Sequence, residues 1–268
     1  MKLPRADTDP FSQIAADYDG SFTDLPSVAE LRKRIHVLVH RYFPYDGTVL
    51  DLACGTGEDA LMLAQGGFHV IGADRSYGML ARAVAKTCPL GETHPHFVQT
   101  DAASLTMFRD SSFDAILSNF GGLNCVPDLR STLAECHRLL RPDGTIVLCL
   151  LGAHSIWESA AFALRGAWQD ALRRRSRSPV PVRVGEQTVE TRYHSLRAIR
   201  ESVHHMFRIV SIAGLNVVAP PPASQSFATR YPRLTSLLFA VDRRVQSLPI
   251  LRALGDHTVV VLKRRTFP

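Results

Sequence analysis

Two hydrophobic periods alternate along the chain. Short, nearly continuous apolar runs at 49–52, 68–73, 96–100, 113–119 and 145–151 have the length of buried parallel strands. Between them apolar residues recur at helical spacing. Leu31, Ile35, Leu38 and Val39 mark a helix over 28–43. Ala60, Leu61, Leu63 and Ala64 mark a second, stopped by Gly66 and Gly67. Further helices are expected over 77–86, with Ser76 as cap, and over 127–140. A last strand is expected over 256–263. Strands alternating with helices predict an α/β fold, with helices on both sheet faces and right-handed crossovers.

The first strand breaks at Ala53-Cys54-Gly55-Thr56-Gly57, where two glycines permit a tight turn and close approach to a ligand. Strand, glycine turn and helix make a nucleotide-binding unit. Gly55-x-Gly57-x-x-Ala60 fits a loose dinucleotide fingerprint, but Glu58 and Asp59 stand where the helix begins. Carboxylates there already complement the helix dipole and would repel a pyrophosphate. Asp51, at the strand end, adds a third negative charge. A ligand carrying a cation suits this loop better, which disfavours an NAD-dependent oxidoreductase. Asp74 ends the second strand, about 20 positions beyond the glycines, where an acid can accept both ribose hydroxyls.

Asp51-x-x-Cys54-Gly55-Thr56-Gly57 resembles the first motif of the class I S-adenosylmethionine-dependent methyltransferases, and the match continues to about Leu151. The resemblance implies a Rossmann-like doubly wound sheet of seven strands with the last antiparallel. It implies S-adenosyl-L-methionine as cofactor, held by Asp51, Ala53, Gly55, Thr56, Gly57, Asp74, Arg75 and Asn119. Asp101-Ala102, after the third strand, would hold the adenine. Phe11-x-x-Ile14-Ala15-x-x-Tyr18-Asp19 resembles the N-terminal segment of small-molecule, type 11-like methyltransferases, where it closes over the cofactor and a tyrosine, here Tyr18, often reaches it. The alternative is a helix packing on the core. Leu140-Arg141-Pro142-Asp143-Gly144 is close to a further motif of the family, and N-P-P-Y, the signature of base amino methylation, is absent.

Residues 152–205 exceed what a crossover needs, so the chain divides into a core, 1–151 and 206–268, and a cap inserted after strand five. Within the cap we expect a helix over 155–172, a basic loop, a hairpin over 182–193 turning at Gly185, and a helix over 195–205. Long insertions at the ligand end usually set substrate choice. The expected function is methyl transfer to oxygen or nitrogen of a small-molecule acceptor. His154, just past strand five, is the candidate catalytic base.

The net charge of +6 gathers in the arginines of 173–183, which permits an anionic acceptor. An RNA methyltransferase using that loop is the alternative, disfavoured because no RNA-binding module or aromatic platform accompanies it; no specific nucleic acid is expected. A cofactor-binding partner without catalysis is compatible with the same motifs. Cys54, Cys88, Cys125, Cys136 and Cys149 are scattered, which argues against zinc or a disulfide framework. No metal is expected. Nor is a signal peptide or transmembrane segment, the longest apolar run, 145–153, being too short, and a cytoplasmic protein is expected. The acceptor and the oligomeric state are not legible.

Overall fold

The structure is a computed structural model and describes residues 9–87 and 94–266. Cys88 and the first eight residues, on which the expectation of no signal peptide falls, lie outside the described residues.

Seven strands form one sheet in the order β3-β2-β1-β4-β5-β9-β8. They are β1 (Thr48–Leu52), β2 (His69–Asp74), β3 (His96–Gln99), β4 (Phe113–Ser118), β5 (Leu140–Leu151), β8 (Phe207–Leu215) and β9 (His257–Arg264). β1 through β5 pair in parallel, and β9 runs antiparallel between β5 and β8. The expected architecture is therefore present.

Alternation along each strand divides the core between the two faces. Leu50, Ile116, Ile146, Leu148 and Leu262 meet α5 (Leu129–Leu139) and α8 (Leu196–Val203) through Leu133, Cys136 and Ile199. Val49, Leu117, Val147 and Val261 point the other way, onto α2 (Pro26–Tyr42) and α3 (Glu58–Gln65) through Leu31, Ile35, Ala60 and Leu63. α4 (Tyr77–Thr87) buries Met79, Leu80 and Ala83.

Several elements depart from the sequence reading. β8 was not located, because a register shift between Ile209 and Ser211 breaks its alternation. The expected turn at 141–144 is carried inside β5 as an exposed irregularity, with Asp143 at φ +64°. The single cap helix over 155–172 is two, α6 (Ile156–Leu164) and α7 (Trp168–Ala171), broken at Gly166, whose φ of +74° no helix accommodates. The hairpin is present as β6 (Val180–Val184) and β7 (Gln187–Thr191), with Gly185 at φ +59°. α1 (Pro10–Ile14), α9 (Gln225–Arg230) and α10 (Pro232–Val245) complete the helices used below.

Candidate active site

The carboxyl ends of β1, β2 and β4 open into a cavity of about 270 Å³, the place where parallel sheets bind ligands. Its floor is the glycine turn. Ala53, Gly55 and Gly57 all take positive φ (60°, 54° and 75°), so the chain reverses within five residues and leads into α3. A Cβ on Gly122 would sit 2.5 Å from that of Ala53, so the β4 loop lies flat on this turn only because residue 122 is glycine.

Three carboxylates converge here. Asp74 accepts from the Gly55 amide (2.8 Å) and the Ser76 amide (2.8 Å), one bond to each oxygen. Each oxygen keeps a further lone pair, enough for a vicinal diol. Burial raises the Asp74 pKa, partly offset by those two amides. Asp51 is buried and its Oδ2 has no hydrogen-bond partner. Desolvation first, then Asp59 and Asp74, push its pKa well above the carboxylate range. An orphaned buried carboxyl oxygen on the wall of a cavity is costly unless a donor arrives, and a cationic amine is the donor that would also lower its pKa.

Asp59 is the third. Its Oδ1 accepts from Arg32 Nε (3.2 Å) and lies 2.8 Å from His36 Nε2, and its Oδ2 accepts from Asn119 Nδ2 (3.1 Å). Burial alone would raise its pKa, but the His36 hydrogen bond and the Arg32 charge hold it below the usual range. Asp59 thus fixes the Arg32 guanidinium, which stacks 4.8 Å over the Phe120 ring and lines the cavity. With Nε committed to Asp59, the two Nη groups are left to meet an anion.

Two segments cover the cavity. The N-terminal one is fastened to α4: Ser12 Oγ lies 2.8 Å from Ser76 Oγ and accepts from the Gly78 amide (3.0 Å), while Lys86 pairs with Asp19 (2.8 Å) and Glu58 (3.0 Å). It brings Phe11, Tyr18 and Phe22 to the lining, with Phe22 edge-on to Phe120 at 5.5 Å. Burial, then the Asp74 charge, push the Tyr18 hydroxyl up to about 12, so it remains a proton donor. The second cover is the β6–β7 hairpin, whose Val182, Val184 and Val189 face the cavity and whose Gly185 turn meets Ile14 of α1.

Most of the expected site residues meet. Tyr18, Asp51, Ala53, Gly55, Thr56, Asp74, Arg75 and Asn119 line the main cavity. Asp101 and Ala102 line an adjoining cavity of about 40 Å³ that shares Ala53, Asp74 and Arg75 with it. Gly57 acts from behind the wall, as the cap of α3 packed on Ala83 and Phe97. His154 is not among the lining residues of either cavity. The chain turns away after Leu151, where Gly152 bridges to His194, and burial and Arg175 lower the His154 pKa.

The basic loop is also less available than its charge implies. Arg173 pairs with Glu158 (2.9 Å), and Arg174 pairs with Glu158 (2.6 Å) and the buried Asp256 (2.9 Å) while covering Tyr193. These two arginines tie α6 to Asp256, just before β9, and offer little to an anionic acceptor or a nucleic acid.

Sequence reasoning missed Arg32, Phe22 and Phe120. The signal for Arg32 was available: with His36 it forms an i, i+4 pair beside the Leu31–Ile35–Val39 stripe of α2, and a basic pair flanking a buried stripe wants a buried acid.

The sheet order, the antiparallel β9 and the glycine turn with its acids define a class I methyltransferase fold. Residues 49–144 match the family profile described as a methyltransferase domain. It is 38% identical over 140 residues to a demethylmenaquinone methyltransferase of Clavibacter sepedonicus, covering 52% of this chain and 55% of that one. It has the same identity over the same length to the enzyme so named from Thermus thermophilus, covering 52% and 62%. The chain thus spans about half the length of the curated relatives it matches. A Haloferax volcanii protein solved in complex with the Trm112 methyltransferase activator superposes with a TM-score of 0.61 at 20% identity, covering 97% of this chain and 99% of that one. That likeness is one of fold.

Proposed function

We propose that the protein transfers a methyl group from S-adenosyl-L-methionine to a small, largely apolar acceptor. The observation that carries this reading is the charge pattern of the cavity: a partnerless buried Asp51 oxygen, the half-used Asp74 carboxylate and the Arg32 Nη groups around one glycine turn. Asp51 would take the α-amino group, Arg32 the carboxylate, Asp74 the ribose hydroxyls, and Asp101 with Ala102 the adenine edge. The bound cofactor supplies a methyl group made electrophilic by a sulfonium. The chain's own part is to hold the acceptor in line and exclude water. Phe22, Phe120, Leu151, Val182, Val184 and Val189 provide an apolar wall for that purpose.

The acceptor's class is supported by this wall and by relatives named for demethylmenaquinone, a small molecule. Tyr18, kept protonated on the cavity wall, is a hydrogen-bond donor and no base. With His154 outside the lining, alignment carries the rate unless the acceptor needs deprotonation. The internal pairing of Arg173 and Arg174 weighs against the RNA alternative. Calorimetry with S-adenosylhomocysteine and with NAD tests the cofactor assignment: the first binds and the second does not. Asp74→Ala should weaken binding by about 1.5–3 kcal/mol, the range for hydrogen bonds to a charged group. Unchanged affinity in that variant would refute the assignment.

A further inference from the structure

Ten of the sixteen exposed large apolar residues among the described residues fall in two stretches, four at 156–172 and six at 231–250. The stretches are neighbours: Trp157 of α6 packs on Phe227 of α9 (4.9 Å between ring centroids), and Phe227 on Tyr231 (5.2 Å) at the start of α10.

α10 is amphipathic in an unusual sense. Its buried face holds Thr235, Phe239 and Asp242. Asp242 is fully buried, pairs with Arg34 of α2 (2.8 Å) and accepts from the amides of Asn216 (3.1 Å) and Val218 (2.9 Å), which fixes the helix's rotation about its axis. The opposite face carries Arg233, Leu234, Leu237, Val241 and Arg244, at helical spacing and all exposed, Leu237 at 59%. Leu248 and Ile250 continue the exposed apolar surface beyond the helix end, Ile250 at 79%. No acid shares that face. The helix's one carboxylate is turned inward, and Glu30 of α2 is taken by Arg243 (2.8 Å) on the flank.

Leucines flanked by arginines with no acid among them are complementary to an anionic lipid bilayer. An apolar side chain gains by entering the acyl boundary, and arginine stems lie along it while their guanidinium groups stay with phosphates. We infer that the outer face of α10 is a peripheral membrane-docking surface, with Leu234, Leu237 and Val241 entering the interface and Arg233 and Arg244 engaging anionic headgroups. The exposed Trp168 (67%) and Leu164 (89%) of the adjoining α6–α7 pair are of the residue types that sit at such a boundary. Asp242 anchors the helix to the core, so docking would require no refolding.

The test is vesicle co-sedimentation of the full chain on phosphatidylcholine alone and on phosphatidylcholine with phosphatidylglycerol. It needs neither cofactor nor acceptor, so it stands apart from the methyl-transfer reading. The wild type should partition onto the anionic vesicles and be released by salt. Arg233→Gln with Arg244→Gln should lower partitioning about 25-fold, some fivefold per arginine. Leu234→Gln with Leu237→Gln should lower it at least tenfold. All four positions are solvent-facing, so thermal unfolding should be unchanged, which separates loss of docking from loss of fold. Equal partitioning onto both vesicle types, or wild-type partitioning by either variant, would overturn the inference. So would a concentration-dependent dimer dispersed by the leucine variant, which would make a second copy the occupant.

Discussion

The substitution Asp59→Ala tests whether the buried polar cluster both stabilises the fold and sets the cofactor's anion site. In the wild type one carboxylate serves three donors: Arg32 Nε (3.2 Å), His36 Nε2 (2.8 Å) and Asn119 Nδ2 (3.1 Å). At about 1.5–3 kcal/mol for each bond to a charged group, the gross interaction is about 4.5–9 kcal/mol. Part is recovered in the variant, because the Arg32 guanidinium can take water from the cavity. What remains is a buried cation without its partner, for which about 3–5 kcal/mol is the usual loss. Urea unfolding at pH 7 measures it. The pH dependence has a definite sign: the folded-state pKa of Asp59 is depressed, so its contribution is present above the unfolded carboxylate value and is lost as pH falls through the folded one. The variant should lose stability at neutral pH and converge on the wild type in acid. Arg32→Met with Asp59→Ala should be more stable than the sum of the single variants implies, by about 0.5–3 kcal/mol, since no cation is then stranded. S-adenosylhomocysteine affinity should fall in Asp59→Ala, with the Arg32 guanidinium no longer fixed. A loss below about 1 kcal/mol, the size of an ordinary neutral hydrogen bond, together with unchanged affinity, would refute the reasoning.

Asp51 holds its proton above the carboxylate range because it is desolvated beside Asp59 and Asp74, so binding a cationic amine should expel that proton. Calorimetric heats for S-adenosylhomocysteine should then vary with the buffer's ionisation enthalpy, a dependence that Asp51→Asn removes. His194 is pushed down to about 4 by burial and by Arg192, so the unfolded chain binds more protons between that value and about 6.5 and stability should fall as pH drops through this window. Near pH 5 the cost is at most about 2 kcal/mol, and unfolding of His194→Gln should show a flatter profile. His154→Ala should change turnover less than about tenfold, since the residue does not line the cavity, whereas a drop of 10²–10⁴-fold would restore it as a base.

Local signals in the chain determine how far the site can be read from it. The glycine turn was legible because its positive φ values leave few residue types to choose from, and because strand periodicity fixed where the turn must fall. Asp74 and Asp101 followed, since the first ends β2 and the second lies two residues past the end of β3, in the same parallel sheet. Arg32 was not legible, because its partner is 27 positions away and only packing of α2 against α3 makes them neighbours. Phe22, in a short π-helix over Asp19–Thr23, and Phe120, in the turn after β4, meet only over the finished cavity. The arginine loop misled for a related reason: composition counts charges, while the fold decides which are spent. Arg173 and Arg174 are neutralised by Glu158 and Asp256, the latter some 80 positions downstream.

The same reasoning applied to α10 runs in the opposite direction. The acid that could have balanced its arginines, Asp242, lies on the same helix and is committed inward to Arg34 and two backbone amides. A residue that reads in sequence as a charge partner is thus withdrawn by the fold, and the outer arginines keep their charge for something outside the chain. Arg233 and Arg244 of α10 therefore face outward without an acid partner, while Arg173 and Arg174 of the basic loop are spent inside the fold on Glu158 and Asp256.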